Sequence, residues 1–502
     1  MIRHVAEHRR LDTAELPADA AALLAAGMRL SLVAGHDDGG QLRIVYLFLD
    51  AATGRRTELE VLLPGTDPRI PSLAGISFPA GRFERELHDL FGIIPEGHPL
   101  PRRLVRHPHW PAGWYPMRHD AGEPSGFDRT VEPYPFLEVT GTGVYEIPVG
   151  PVHAGLIEPG HFRLSVVGET VLKLKARLWF VHRGMERLFE GRTATRITGL
   201  AEKIAGDTSV GHGLAATLAV EDALGWEVPE PAQQLRAALL EMERLYNHVG
   251  DIGALANDVG YGIINAHALR IRERLLRINE EMTGHRLLRG AIIPGGVQLL
   301  GLPTPAEITE IAAEVGELAG LALRNTVVRD RFAGTAVLTS AQARDLGCLG
   351  YVARASGVPA DARREHPFVD LPVHEVLRQD GDVLARFSVR VEEVAATARL
   401  LVQLLEDAPR ERDLLGSSPD PEDRHRRRTG TTTPGTGIVE GWRGTIVHRV
   451  ELGDDQVVRR VKVVDPSWFN WPAVPVAMGD TIVADFPLAN KSFNLSYAAN
   501  DL

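Results

Sequence analysis

The sequence has 502 residues, 44% apolar and 24% charged, with a net charge of −11. This is a globular composition with room for about two to four domains, and its negative charge argues against nucleic-acid binding. The single cysteine, Cys348, excludes an intramolecular disulfide, and it excludes an iron–sulfur cluster or cysteine-ligated zinc held by this chain alone. As a small buried hydrophobe Cys348 needs no function. No apolar run approaches the ~18 residues of a membrane span. The first residues lack the apolar core of a signal peptide, so a cytoplasmic location is expected.

Residues 1–120 read as a small α+β unit. Residues 16–26 are rich in Ala and Leu and predict a helix. Strands are expected at 29–34, 43–50 and 57–63, the last two joined by the Thr53-Gly54 turn as a hairpin. In 81–93, Phe83, Leu87, Leu90 and Phe91 fall at helical spacing, with Gly92 as the stop. Residues 95–120, rich in Pro, His, Arg and Trp, have no period. They predict an extended arm lying on another part of the molecule. Residues 121–149 read as a Pro/Gly-rich linker carrying a strand.

From residue 150 the pattern becomes mainly helical. A hairpin is expected from 162–167 and 170–174 around Gly168-Glu169. The Ala/Gly-rich helix 209–224 predicts close packing on all sides. Four amphipathic helices follow. Their stripes are Leu235, Leu239, Met242, Tyr246 and Val249; Ile271, Leu275, Ile278 and Met282; Ile308, Ile311, Val315, Leu318 and Ala322; and Phe387, Val391, Val394, Ala398, Leu401 and Leu405. The third opens on Thr304-Pro305, with Glu307 placed for a capping box. One apolar stripe per helix is the pattern of a bundle core. Residues 410–436, with the basic run 424–428, predict a flexible surface loop. Strands are expected at 445–450 and 457–464. The fold class is therefore an α+β N-terminal domain (1–120), a linker (121–149), and a mainly α-helical bundle domain with peripheral β-strands (150–502).

Several polar clusters flank the bundle. Glu158, His161 and Arg163 fall within six residues just before a strand, a set suited to proton transfer. His153 lies in the tight turn G-P-V-H. His182, Arg183 and Glu186 form a charged run. Arg354 with Asp361 and Arg363 makes a polar loop, and Asp382 with Arg386 has i,i+4 spacing. Each alone also reads as structural pairing; their number around one bundle suggests a site. The stretch 202–212, E-K-I-A-G-D-T-S-V-G-H, has the form of C-x-x-C-x-x-x-H, with Ala205 and Thr208 where cysteines would stand and His212 beyond them. Neither a nucleotide-binding glycine motif nor H-E-x-x-H occurs.

Taken together, these runs carry a family resemblance. G-P-V-H (150–153), E-P-G-H-F-R (158–163), V-H-R-G-M-E (181–186), R-A-S-G-V-P-A-D-A-R (354–363), G-D-V-L-A-R (381–386) and N-W-P (470–472) resemble the large subunit of membrane-bound group 4 nickel–iron hydrogenases, of the formate hydrogenlyase type. They equally resemble the related D-type subunit of NADH:quinone oxidoreductase (complex I). E-R-E-L-H-D-L-F-G-I (84–93), G-H-P (97–99) and Arg102-Arg103 resemble the complex I C-type subunit. The family's hydrogenases hold nickel and iron with two C-x-x-C pairs. By the resemblance those positions are Ala205 and Thr208, and Ser496 and Ala499, so no nickel–iron centre is expected, since alanine and alcohols do not replace thiolates. Metal-receiving precursors of the family carry a C-terminal extension, and a sequence ending at Leu502 is what a chain that receives no metal would show. The family's quinone-binding Tyr matches Gly206 here, and of its two His only His153 is kept.

The resemblance implies a hydrogenase-related oxidoreductase subunit on the cytoplasmic side of the membrane. It would take electrons from an iron–sulfur small subunit and assemble with antiporter-like, ion-translocating membrane subunits. Its acceptor would be a quinone, held with Glu158, His153, His161, Arg163 and His212 as proton-transfer groups and Arg354, Asp361 and Asp382 in support. Any use of NADH would belong to another subunit. The alternative is a non-catalytic structural or coupling subunit of such a complex.

Overall fold

The computed structural model describes residues 6–128, 134–155, 157–408, 413–415 and 432–502. Its N-terminal part is a four-stranded sheet with Ala6–Leu11, Arg56–Pro64, Gln41–Leu49 and Arg29–Asp37 in that spatial order. The last three are antiparallel neighbours, as the hairpin predicted, and Ala6–Leu11 adds a parallel edge. That edge strand was not expected, because its alternation of Glu, His and Arg carries no apolar signal; charge on an edge also discourages pairing with another chain. The Phe78–Phe91 helix starts three residues before the periodic pattern. Ser77 caps it by accepting from Ala80 N, and Pro79 sits in the first turn, where its missing N–H costs nothing. Gly92 ends it in the left-handed conformation.

The arm lies against both halves of the molecule. Asp89 Oδ2 accepts from the backbone N–H groups of Leu104, Val105 and Arg106 at 2.8, 2.7 and 3.2 Å. From the other side, Arg177 donates to the carbonyls of the same three residues, and His107 Nε2 lies 3.0 Å from Trp179 O. The linker expected at 121–149 carries its expected strand. Val144–Val149 pairs antiparallel with His161–Val167, which pairs in turn with Thr170–Arg177.

All four amphipathic helices form, as Glu230–Asp258, Gly262–Thr283, Pro305–Arg324 and Val383–Glu406. Their stripes make the core, and the Thr304–Glu307 capping box is present. A buried ionic seam ties two of them, Glu230–Asp258 and Val383–Glu406, to residues 354–363 and to Glu440. Arg354 donates to Glu393 at 2.8 Å and Glu440 at 2.9 Å, Arg363 to Glu241 at 3.0 Å, and His248 meets Glu393 at 2.7 Å. Burial of so many charges is tolerable only because each has a partner.

Two parts of the expected loop 410–436 are strand. Residues 410–412 and 416–431, with the basic run 424–428, lie outside the described residues. Asp413–Leu415 pairs with Gly296–Gln298, and Thr433–Gly441 is a strand of a three-stranded antiparallel sheet with Gly444–Leu452 and Val458–Val464. The T-P-G-T-G composition resembles a turn, yet its glycines serve packing. A Cβ at Gly437 would overlap Ala215 O and one at Gly435 would overlap Ala219 O. The helix Ser209–Leu224 can lie this close because it presents Ala and Gly, and every residue in it but Asp222 and Leu224 is buried.

The N-terminal sheet and the Phe78–Phe91 helix dock on this C-terminal sheet through charged pairs. Arg43 donates to Glu451 at 2.8 Å, Arg449 to Glu58 at 2.8 Å and Lys462 to Glu86 at 2.7 Å. Among the described residues, no helix is long and apolar enough to cross a membrane.

Candidate functional site

The turn 202–208 and the C-terminal segment 494–502 are far apart in sequence and meet in the fold. Arg183 and Arg443 hold them together. The Arg183 backbone N–H donates to Leu502 O at 2.8 Å and its guanidinium to Ile204 O at 2.6 Å. Arg443 donates to Asn494 O at 2.6 Å and to both Asp207 oxygens at 2.8 and 2.7 Å. At the positions that the resemblance assigns to cysteines, the residues do not fit a nickel–iron centre. Ala205 and Ala499 carry no donor and belong to one buried apolar cluster with Ile204, Met185 and Leu502. Thr208 Oγ1 is engaged with Asp207, Trp442 and Arg443. Ser496 Oγ accepts from Ala499 N at 3.0 Å, capping the short Tyr497–Asp501 helix. Among the described residues, no group of three or more His, Cys, Asp or Glu is placed to hold a metal. Cys348 is buried elsewhere, and burial pushes its thiol up to about 12.

The loop between Val144–Val149 and His161–Val167 carries the other expected residues. Glu158 is exposed, and its carboxylate accepts from Ala498 N at 2.8 Å, beside the second altered pair. Gly160 lies where a Cβ would meet the Tyr497 ring at 2.5 Å, so the loop can press onto the C-terminal segment only with glycine there. His153 packs against Phe162 and Tyr497, with ring centroids 5.9 and 6.4 Å away. His161 and Arg163 face a cleft of about 810 Å³ that is also lined by His107 and Trp110 of the arm and by Phe127 and Phe180. Arg163 lies over the Phe136 ring and donates to Glu146 at 3.0 Å. The ring Nε2 atoms of His153 and His161 are buried without a hydrogen-bond partner, and burial holds both imidazoles below their ordinary pKa. They are therefore neutral near pH 7, and each can receive a proton from a ligand or hand one on. The arm's contribution was missed at the sequence level, because an aperiodic segment does not reveal which surface it will cover.

His212 is not in this cleft. It is fully buried, with Nδ1 3.0 Å from His448 Nε2 and Nε2 3.1 Å from Asp465 Oδ2. Burial pushes the Asp465 carboxyl up, but the His212 hydrogen bond and the Arg443 charge outweigh it and leave it below the usual range. The expected supporting residues also lie away from the cleft. Arg354 and Asp361 belong to the ionic seam. Asp361 accepts from Arg363 at 2.6 Å and caps the 362–365 turn. Asp382 caps the Val383–Glu406 helix through Ala385 N at 2.7 Å and accepts from Gly334 N at 2.7 Å. The i,i+4 pair with Arg386 does not form. Arg386 donates instead to Ser492 Oγ and to the carbonyls of Gly381 and Ala336, because a cap needs Asp382 pointed at the helix start.

Three families match. The respiratory-chain NADH dehydrogenase 30 kDa subunit matches residues 8–125, the 49 kDa subunit matches 258–501, and nickel-dependent hydrogenase matches 183–251. The chain is 32% identical to formate hydrogenlyase subunit 5 of Escherichia coli, over 94% of this chain and 84% of that relative. It is 33% identical to hydrogenase-4 component G of the same organism, over 87% of this chain and 75% of that one. It is 30% identical to the fused C/D protein of the NADH-quinone oxidoreductase of Bacteroides thetaiotaomicron, over 73% and 74%. Among solved structures, a chain of the archaeal membrane-bound sulfane sulfur reductase complex superposes with a TM-score of 0.64 at 26% identity, over 73% of this chain and all of that one. With 30 kDa-type and 49 kDa-type sequence in one chain, this protein belongs to the family of fused C/D-type subunits shared by complex I and the group 4 membrane-bound hydrogenases.

Proposed function

We propose that this chain is the large subunit of a membrane-associated, complex I-like oxidoreductase complex in which an organic acceptor, a quinone, replaces metal-centred chemistry. An iron–sulfur small subunit delivers electrons, and partner membrane subunits translocate protons or another ion. The chain acts on the cytoplasmic face. One observation carries the reading. The position of the family's metal is closed by buried Ala205 and Ala499, while an aromatic-walled cleft opens beside His161 and Arg163. The neutral imidazole of His161 at its edge suits the proton uptake that accompanies reduction of a quinoid ring. His153 and Glu158 lie on the same loop and link the cleft to the C-terminal segment. His212, enclosed with His448 and Asp465, is placed to hold the floor rather than to meet an acceptor.

The test is turnover of the purified complex with a short-chain quinone. Glu158→Gln and His161→Gln are each expected to lower turnover by about 100-fold with assembly intact. Stoichiometric nickel in the preparation overturns the metal-free part of the reading. The same closure of the metal position favours a second reading, a non-catalytic coupling subunit, since packed alanines need no ligand. Wild-type turnover in both variants, or none in the wild type, decides for it.

A further inference from the structure

A second cavity, of about 300 Å³, lies between the Phe78–Phe91 helix and the aromatic segment at 468–475. Two arginines of that helix line it. Arg82 is buried between the Trp179 and Trp468 rings, 5.9 and 4.6 Å from their centroids, and it donates to Trp468 O. Arg85 donates to the carbonyls of Arg102 and Arg103. Among the described residues, neither guanidinium has a carboxylate within ion-pair distance. The acids whose charge reaches them are engaged elsewhere: Glu86 with Lys462, Asp89 with the backbone N–H groups of residues 104–106 and Asp501 with Val181 N, while Glu84 is turned to Ser72 and Leu73 N. Burial lowers the pKa of both arginines, Arg82 to about 9. Buried Arg236, Arg354 and Arg390 each meet a carboxylate, whereas Arg386, like this pair, has only neutral acceptors. An uncompensated buried cation is costly, and in a chain of net charge −11 acids are not scarce. His98 adds no charge. Its Nε2 is given to Gly81 O and its Nδ1 accepts from Leu100 N. The mouth is apolar, with Phe78 and Leu100 each more than 40% exposed.

Two unneutralised guanidinium groups at the bottom and exposed apolar side chains at the mouth fit one kind of occupant. We propose that this cavity is a docking site for a partner subunit, and that it receives an aspartate or glutamate carboxylate, or a chain-terminal one, from a segment flanked by apolar residues. Arg82 and Arg85 take the carboxylate, the Trp walls exclude water from the pair, and Phe78 and Leu100 cover the flanking residues. A charge pair desolvated in this way sets partner specificity and dissociation rate. The proposal rests on the reading of the chain as part of a hetero-oligomeric complex.

The test uses the native complex, purified through a tag on this chain. Arg85→Gln and Arg82→Gln/Arg85→Gln are expected to weaken retention of one partner subunit by about 30-fold or more, with the melting temperature of the isolated chain unchanged in the Arg85 variant. A photo-crosslinker at Phe78 or Leu100 is expected to label an acidic, apolar-flanked segment of that subunit. Wild-type retention in the double variant overturns the site alone, as do adducts confined to lipid or to segments without an acid. Saturable binding of benzoate with normal assembly makes the cavity a small-molecule site and overturns docking. A tagged chain that retains no partner overturns both this proposal and the complex-subunit reading.

Discussion

Glu243 sits under the turn at 202–208, fully buried, with its two oxygens accepting from Val210 N at 2.7 Å and Gly211 N at 3.0 Å. Burial raises its pKa from 4.5 to about 8, although both backbone bonds and Arg244 act to lower it. A carboxyl whose folded pKa is raised binds its proton more tightly when folded. Its contribution to stability is complete below about pH 4.5 and is lost as pH rises toward about 8. Glu243→Gln should therefore flatten the decline in melting temperature across that window, and a variant declining as steeply as wild type would contradict this. Asp465 behaves oppositely. Its carboxylate, held below the usual range, stabilises the fold above its unfolded pKa and loses that effect as pH falls through the folded value. Asp465→Asn should cost about 2 kcal/mol at pH 7, and the gap to wild type should narrow below about pH 4, measured by denaturant titration at several pH values. His212 was visible in the sequence through the C-x-x-C-x-x-x-H form. Its partners were not, since His448 and Asp465 lie 236 and 253 positions away and no local pattern reports such a pairing.

At the scale of elements, the helices were legible because a single apolar stripe at 3.6-residue spacing fixes both their type and their buried face. The hairpins in 29–64 and 162–177 were legible for the matching reason, short β-branched runs around a turn. What escaped was the set of elements whose sequence describes a neighbour rather than themselves. The polar edge strand Ala6–Leu11 is one, and the glycine-bearing strand Thr433–Gly441, whose first four residues were read as loop, is another. Its glycines exist for the helix Ser209–Leu224. Gly437→Ala, forced against Ala215 O, should destabilise by about 3 kcal/mol or more. Gly316→Ala, on the exposed face of the Pro305–Arg324 helix with nothing within 4 Å of the added carbon, should stabilise by about 1 kcal/mol. Opposite shifts in melting temperature check the pair. Equal shifts would mean that the strand can move away from the helix.

At the scale of the whole molecule, fusion of the two parts has a physical consequence at their junction. The C-terminal sheet offers Arg449, Arg460 and Lys462 to the N-terminal part. There Arg449 reaches Glu58 at 2.8 Å, Arg460 donates to Gly35 O at 3.0 Å and Lys462 reaches Glu86 at 2.7 Å. All three cations are buried. Each keeps one partner on its own side, Arg449 with Glu451 and the other two with Glu186, so the C-terminal part alone would present half-satisfied charges. The arm adds the Asp89 and Arg177 brackets around residues 104–106, which neither part can close by itself. Breaking a buried pair from one side is far more costly than its absence would be. A chain split after Asp128 should therefore give a C-terminal fragment that melts lower than the intact protein by ~10 °C or more when made alone. Co-expression with residues 1–128 should restore the intact melting temperature, and Glu58→Lys in the N-terminal fragment should abolish that rescue by setting two cations against each other. A C-terminal fragment as stable alone as in the whole chain would show that the junction merely tethers the two parts.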